Sequence, residues 1–174
     1  MSLIKRINET YTTMDDVKRL TYYCEHSDNY YNHEYFGTNF LNTDYALKSM
    51  ERVKRTYHKE NGNQVHHFIF SIQPRRKMDE NIKLAYASEI LYTIGNYLNH
   101  KGFQSIGYIH KKENKYNYGF AIEMIDNVHI HLIVNAVNGY TGLKLTNIQS
   151  LLKEMLSLLK QNYHDLHWNM ILYK

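Results

Sequence analysis

The sequence predicts an α+β fold in which an antiparallel sheet has helices packed on one face. Two observations lead to this prediction. Apolar runs rich in β-branched residues, typical of strands, follow one another across short turns in the second half of the chain. Amphipathic stretches with helical spacing lie before and after them. The 174 residues suffice for one domain with a core of ordinary size.

Capping signals and turn residues mark the elements of the first half of the chain. Thr13, followed three residues later by an acid, is a capping-box pattern that predicts a helix start. Residues 21–33 are polar and rich in tyrosine, which is typical of a loop. In chain order we expect a short helix after residue 13, the loop 21–33, a turn at 37–39, a basic helix capped by Thr43 and running through residue 57, and a strand at 65–72 that Pro74 ends.

A long amphipathic helix opens the second half. We expect Asp79 to cap it and Gly102 to close it after residue 100, because glycine readily adopts the backbone conformation that follows a helix. Its expected core residues share one face: Ile82, Ala85, Ile90, Ile94 and Leu98. We then expect strands at 103–111, 118–125 and 129–135, followed by a loop at 139–142. A second capping box at 146 predicts a helix that runs to about 163, and a last short strand is expected at 167–173.

Composition restricts the class of protein. Cys24 is the single cysteine, so no intrachain disulfide can form, which fits a reducing cytoplasm. No apolar run is long enough to span a membrane, and the N-terminus lacks the apolar core of a signal peptide. We therefore expect a cytoplasmic protein without a membrane partner. The net charge of +4 allows a polyanionic partner without proving one.

The predicted strand 129–135 carries two histidines that could bind a metal. Side chains of a strand alternate between faces, so His129 and His131 share one face about 7 Å apart. Two imidazoles on a rigid strand suit a divalent ion, although a solvent-facing pair on an edge strand has the same spacing. A catalytic site needs a third ligand, and His110 and Glu123 are the two candidates. Either set would suit Mn²⁺ or Mg²⁺.

A metal that polarises a phosphate needs a nucleophile nearby, and tyrosine is the available one. The chain has no Gly-rich phosphate loop, no GxSxG motif and no zinc-spaced cysteines. Tyr22 and Tyr23 are adjacent, and a tyrosine hydroxyl can attack phosphorus to form a covalent ester. Arg52 and Arg55 lie on the basic helix, which is either a solvated surface or a phosphate-binding one.

Several segments together resemble one known family. From about residue 20 to about residue 160, the sequence is similar to the HUH-type relaxases of mobile elements, the MobA/MobL-like mobilisation nucleases, especially those of Gram-positive bacteria. The matching segments are residues 20–24 (the tyrosine motif), 37–39 with 46–50, 67–71 (His-x-x-x-Ser), 129–135 (the paired histidines) and 141–144.

This resemblance implies a relaxase palm, with the histidine strand central in the sheet, and a single catalytic domain over residues 1–174, either complete or the N-terminal part of a longer protein. It implies a nuclease that nicks single-stranded DNA at an origin of transfer through a 5′-phosphotyrosine, with Tyr23 as first candidate and Tyr22 as alternate. It also implies Mn²⁺ or Mg²⁺ as cofactor, and accessory DNA-binding and coupling proteins as partners. The residues expected at the DNA are Ser71, His67, Arg52, Arg55, Asn39 and Asn135.

The chain departs from the family pattern at the third ligand. The family histidine lies seven residues before the paired histidines, where this chain has Ile122. The spacing from the preceding helix favours His110, followed by an insertion of about a dozen residues. An alignment backwards from His129 places Glu123 there instead. Both candidates therefore stay open.

Three rival functions remain. One is another HUH enzyme, either a rolling-circle replication initiator or a single-tyrosine transposase with Tyr163 as nucleophile. A histidine-triad nucleotide hydrolase would need a third alternating histidine, but position 133 is isoleucine. The third is a DNA-binding domain of the same fold that binds metal poorly and does not cleave.

Overall fold

The computed structural model describes residues 1–74, 76–111 and 127–171. In these ranges the elements are β1 (Leu3–Arg6), α1 (Met14–Glu25), β2 (Tyr30–Phe36), α2 (Thr43–Thr56), β3 (Val65–Ser71), α3 (Glu80–His100), β4 (Ser105–His110), β5 (His129–Asn135), α4 (Ile148–Asn162), a 3₁₀ turn (His164–Leu166) and β6 (Asn169–Ile171). The predicted strand 118–125, the candidate ligand Glu123 and the last two residues of the strand predicted at 167–173 lie outside the described residues.

The strands of the described ranges form one six-stranded sheet in the order β2-β4-β5-β3-β1-β6. All neighbouring strands are antiparallel except β1 and β6, which are parallel. β5 lies between β4 and β3, so the paired histidines are on an interior strand and the edge-strand alternative is wrong. The predicted α+β class, with an antiparallel sheet and a central histidine strand, is confirmed.

Each face of the sheet has its own apolar core. On the back face, α3 and α4 pack against alternate strand residues such as Phe68, Ile130 and Leu132. The predicted layer of helices on one face is therefore present. On the front face, α1 and α2 pack against Val65 and Ile133 among others, so a second helical layer covers part of the surface that carries the histidines. The site lies where this front layer leaves the sheet open.

The loop predicted at residues 21–33 is wrong. The capping box at Thr13 forms as expected, but α1 continues to Glu25 because Val17, Thr21 and Cys24 are buried at helical spacing. The following tyrosine-rich residues form β2, which is at the edge of the sheet that the described residues build. An edge strand tolerates polar side chains because much of it meets water, and its polarity resembles that of a loop.

Smaller differences concern helix boundaries and faces. Asn42 and Asn147, not the threonines, supply the caps of α2 and α4 through their side-chain oxygens. In the first turns of α3, Ile82 and Ala85 are exposed, contrary to expectation. The buried residues of this helix are Leu84, Ala87, Ile90, Leu91, Ile94, Gly95 and Leu98. Within the residues that the structure covers, no helix is long and apolar enough to cross a membrane.

Candidate metal centre and tyrosine cleft

Strand register brings three histidines together on the front face. His110 of β4 is opposite His129 of β5, and Tyr108 is opposite His131. The ligand atoms of His110, His129 and His131 all lie within 4.8 Å of one another, and all three residues are buried. The candidate third ligand His110 is therefore beside the pair, whereas the other candidate, Glu123, is outside the described residues. This group could hold a metal ion.

Backbone carbonyls fix two of the three rings. Nδ1 of His129 lies 2.8 Å from the carbonyl oxygen of Asn127, and Nε2 of His110 lies 2.8 Å from that of Cys24. A carbonyl can only accept, so each of these nitrogens carries its hydrogen and donates it. The other nitrogen of each ring, Nε2 of His129 and Nδ1 of His110, is then the candidate ligand atom. Metal-binding histidines typically have such carbonyl partners.

A hydrogen-bonded chain orients the third ring. Nδ1 of His131 lies 2.9 Å from Nε2 of His67, whose Nδ1 lies 3.2 Å from the hydroxyl of Tyr11. That hydroxyl donates to Glu9 Oε2 over 3.0 Å. Because the carboxylate only accepts, the hydroxyl of Tyr11 uses its hydrogen on Glu9 and accepts from Nδ1–H of His67. Nε2 of His67 then accepts from Nδ1–H of His131. Nε2 of His131 then keeps its lone pair for the centre.

Burial keeps these imidazoles neutral, which is the form that binds a metal. Desolvation lowers the pKa of His129, and it lowers the pKa of His131 well below its ordinary value, with a further contribution from the neighbouring histidines. The pKa of His67 is lowered to about 3, mainly by burial. Nε2 of His129 and Nε2 of His131 lie 3.1 Å apart. Two lone pairs at this distance need a proton or a cation between them, so the donor set fits a metal ion.

The two adjacent tyrosines face different clefts. The ring of Tyr23 lies edge-on to that of His131, with centroids 6.4 Å apart and an interplanar angle of 88°. Tyr23, His67, His129 and His131 line one cleft of about 870 Å³, which we call the histidine cleft. Tyr22 instead stacks on His26 and lines a second cleft on another side of α1. Both tyrosines are more than half exposed.

Glu9, Tyr11 and Arg19 also line the histidine cleft, and the sequence did not predict them as site residues. Arg19 was detectable, because it lies four residues before Tyr23 on α1 and therefore on the same helix face. Its guanidinium is largely exposed and pairs with Asp16. Glu9 and Tyr11 lie in the irregular segment between β1 and α1, far from the histidines in the chain, so no local pattern could place them.

Three of the residues expected at the DNA are buried. Ser71 and Asn135 are fully buried, and His67 is 5% exposed. The amide of Asn135 donates to Met50 O and Gln104 Oε1, so it ties β5 to α2 rather than facing a ligand. Ser71 is opposite His129 in the register, and its hydroxyl has no hydrogen-bond partner among the described residues. As folded, Asn135 and Ser71 have no surface for the expected DNA contacts.

The remaining expected DNA contacts are at the surface. Asn39 and Arg52 line one small cleft of about 210 Å³, together with Lys48 of the same helix. Arg55 is exposed and forms ion pairs with Glu51 and Glu60. α2 therefore has an exposed basic surface. Arg52 lines the same small cleft as Asn39, whereas the charge of Arg55 is paired with two carboxylates.

The tyrosine of the transposase alternative is not near the histidines. Tyr163 follows α4, is 8% exposed and belongs to the back-face core. Its hydroxyl is 2.8 Å from that of Thr93 on α3. The sheet separates it from the histidine cleft, so it cannot act there as the nucleophile in this fold.

An interior strand with paired histidines, a third histidine on its neighbour and a tyrosine in the open cleft beside them therefore form one candidate metal centre on the front face of an α+β sheet. The family described as "Relaxase: MobA/VirD2-like, nuclease domain" matches residues 22–165, and the chain belongs to this family. The expected relaxase resemblance is thus confirmed.

One solved structure is similar to the chain, described as "Molecular Basis of Vancomycin Resistance Transfer in Staphylococcus aureus". The TM-score is 0.42 and the sequence identity 16%, and the match covers 83% of this chain and 77% of that chain. No curated protein sequence matches the chain significantly.

Proposed function

We infer that this relaxase-family nuclease nicks and rejoins single-stranded DNA at a specific site and strand, with Tyr23 as its nucleophile. The observation that supports this most is the position of Tyr23, edge-on to His131 and open to the histidine cleft, whereas Tyr22 faces another cleft. The role would be conjugative mobilisation of a plasmid or integrative element from its origin of transfer. Family membership makes accessory DNA-binding and coupling proteins reasonable partners.

In the proposed reaction, the hydroxyl oxygen of Tyr23 attacks the scissile phosphorus. A bond forms between this oxygen and phosphorus, and the bond from phosphorus to the 3′ oxygen of the preceding nucleotide breaks. The phenolic proton passes to solvent in the open cleft, and the departing 3′ oxygen takes up a proton to become a hydroxyl. The protein stays joined to the DNA 5′ end. The reverse attack by a 3′ hydroxyl restores the strand and releases Tyr23.

His110, His129 and His131 would hold the divalent ion, for which Mn²⁺ and Mg²⁺ are the proposed candidates. Such an ion supplies Lewis-acid stabilisation of the negative charge on the scissile phosphate. The protein's part is to fix the three rings, through the carbonyls of Asn127 and Cys24 and through the chain that begins at His67.

Basic groups around the cleft would hold the DNA backbone. Arg19 lies in the same cleft as Tyr23, where its guanidinium can pair with a phosphate oxygen. Arg52 and Lys48 on α2 provide a second basic point beside Asn39. Exposed tyrosines near these groups give base-stacking surfaces, which typically contribute about 1–3 kcal/mol per base.

Capture of the covalent product tests this function. A pool of random single-stranded DNA, labelled at its 3′ end, is incubated with the full chain and Mn²⁺ and separated under denaturing conditions. We expect a labelled protein band, and sequencing of the captured DNA then gives the cleavage site. Tyr23→Phe should abolish the band, whereas the matched variant Tyr22→Phe should retain it. Adduct formation by Tyr23→Phe, or the absence of an adduct with the wild type in both Mn²⁺ and a parallel incubation with Mg²⁺, would contradict the proposal.

A further inference from the structure

A second cleft lies against α1 on a different side from the histidine cleft. Its volume is about 700 Å³, within the range of pockets that bind small organic groups. α1, β2 and the start of α2 contribute its walls, which include Tyr22, Glu25, His26, His33, Tyr35 and Thr43. The reaction proposed above uses none of these residues.

One wall of this second cleft is a preformed aromatic platform. The rings of Tyr22 and His26 are stacked, with centroids 3.8 Å apart and an interplanar angle of 15°. Nδ1 of His26 also lies 2.9 Å from the carbonyl oxygen of Tyr22, which fixes the histidine ring. Tyr22 is 64% exposed although one of its ring faces is covered. The stack is therefore a rigid, accessible surface of the kind on which nucleobases stack.

The polar wall is a carboxylate that several hydroxyls orient. Oε1 of Glu25 accepts from Thr43 and, over 3.5 Å, from Tyr108. The hydroxyl of Tyr35 lies 3.0 Å from that of Thr43 and supports it. Oε2 of Glu25 accepts no hydrogen bond from any residue in the part of the chain that the structure describes. A fixed carboxylate repels phosphate and accepts from N–H groups, so it suits the edge of a base and not the DNA backbone.

The position of this cleft relates it to the nicking site. Consecutive residues of an α-helix point about 100° apart. The side chain of Tyr22 therefore lines the second cleft, while that of its neighbour Tyr23 lines the histidine cleft. A DNA strand with its phosphate at Tyr23 can place a nearby base against Tyr22. We propose that the second cleft binds one base of the single-stranded DNA and prefers guanine, a specificity site that rests on the proposed function.

Guanine fits the carboxylate best because its N1–H and amino N–H donors are adjacent, so both can donate to Oε2 of Glu25, whose two lone pairs are not used within the described residues. Cytosine and adenine each offer an amino group beside an acceptor, which gives a partial match. Thymine presents one N–H between two carbonyls, and these would face the negative charge of Glu25. The expected order of affinity therefore has guanine first and thymine last.

The test compares two fluorescent probes, a twelve-residue oligo(dT) and the same oligomer with one central guanine. Binding to the full chain is measured by anisotropy in EDTA, so that no cleavage occurs. We expect the guanine probe to bind about tenfold more tightly, since one well-paired base edge typically discriminates to this degree. Glu25→Gln should reduce the ratio to below twofold. Tyr22→Leu should weaken both probes about tenfold by removing the stacking ring.

The matched control is Glu89→Gln on the exposed side of α3, which should leave the ratio unchanged. A ratio near one in the wild type, or a full ratio in folded Glu25→Gln, would overturn the specificity site. If Glu25→Gln does not fold, titration of the wild type with dGMP and dTMP decides, and equal shifts of the Tyr22 ring protons would count against it. If the wild type forms the Tyr23 adduct but shows no base preference, the guanine specificity of the second cleft is disproved and the proposed nicking function is not. A protein that binds no single-stranded DNA disproves both proposals.

Discussion

Nε2 of His67 lies 2.9 Å from Nδ1 of His131, so a buried histidine outside the three-histidine group orients one of its members. His67 is in turn 3.2 Å from the hydroxyl of Tyr11, which donates to Glu9. Burial, followed by the charge of Glu9, raises the pKa of Tyr11, so the phenol keeps the proton that it donates. A chain of neutral donors therefore links an acid near the surface to the centre.

From this series of hydrogen bonds we predict that Tyr11→Phe lowers the affinity for Mn²⁺ about tenfold, because partners of metal-binding histidines typically contribute that much or more. The substitution removes both the acceptor for His67 and the donor to Glu9. Titration calorimetry with Mn²⁺ measures the affinity directly. Tyr86→Phe is the matched control, since it removes a phenol that donates to Asp165 away from the site. Equal affinities of wild type and Tyr11→Phe would show that the chain does not position His131.

The third ligand can be decided by a pair of substitutions. His110→Ala should reduce Mn²⁺ binding and adduct formation by about 100-fold, because it removes one of three candidate ligand atoms and loss of even an indirect partner typically costs about 10–100-fold. Glu123→Gln should change both by less than threefold. His100→Ala at the exposed end of α3 controls for loss of a histidine as such. A severe effect of Glu123→Gln together with a mild effect of His110→Ala would reverse the assignment.

Much of this site was predictable because strands impose a two-residue period. That period alone places His129 and His131 on one face and Ile130, Leu132 and Val134 on the other, and the structure agrees. The neighbour strands could not be predicted in the same way. Pairing partners and register depend on contacts between distant parts of the chain, so the closeness of His67 and His131, 64 residues apart, has no local signal.

The misassigned loop shows a different limit. Residues 21–25 continue a helix whose buried positions are spaced correctly, but two of those positions are Thr21 and Cys24, which are weak hydrophobic signals. Among the strands that the structure describes, β2 pairs with β4 alone, and much of it is accessible, so its composition is that of a surface segment. Tertiary pairing, not local propensity, makes it a strand. The sequence consequently could not predict that Tyr22 and Tyr23 are held rigidly on a helix.

Close packing of β4 against α3 predicts an effect at Gly107. A Cβ there would meet Cδ1 of Leu91 on α3, closer than van der Waals contact permits. Gly107→Ala should therefore reduce the free energy of unfolding by about 1–3 kcal/mol, the usual cost of overpacking a core. Urea unfolding measures this change. Gly139→Ala is a suitable control, because a Cβ there meets its nearest atom at 3.4 Å. No loss of stability in Gly107→Ala would mean that α3 can move away without cost.

Lys54 on α2 predicts a pH dependence of stability. Its side chain is almost fully buried, with Nζ 3.8 Å from Sδ of Met14, and desolvation lowers its pKa from 10.5 to about 8. Between pH 8 and pH 10.5 the unfolded chain binds more protons here than the folded one, so this group makes stability rise with pH in that window. Below pH 8 the folded state carries the whole cost of the buried charge, about 3 kcal/mol.

Lys54→Met should therefore stabilise the protein by up to about 3 kcal/mol at pH 7, and the gain should shrink toward zero near pH 10.5 as the wild-type lysine loses its charge in both states. Urea unfolding of both proteins at the two pH values gives the difference, in which all other titrating groups cancel. Lys48→Met, exposed on the same helix, should change stability by less than 0.5 kcal/mol at either pH, because surface substitutions usually do no more. A gain that is the same at pH 7 and pH 10.5 would come from better packing, and would rule out the buried charge as the cause.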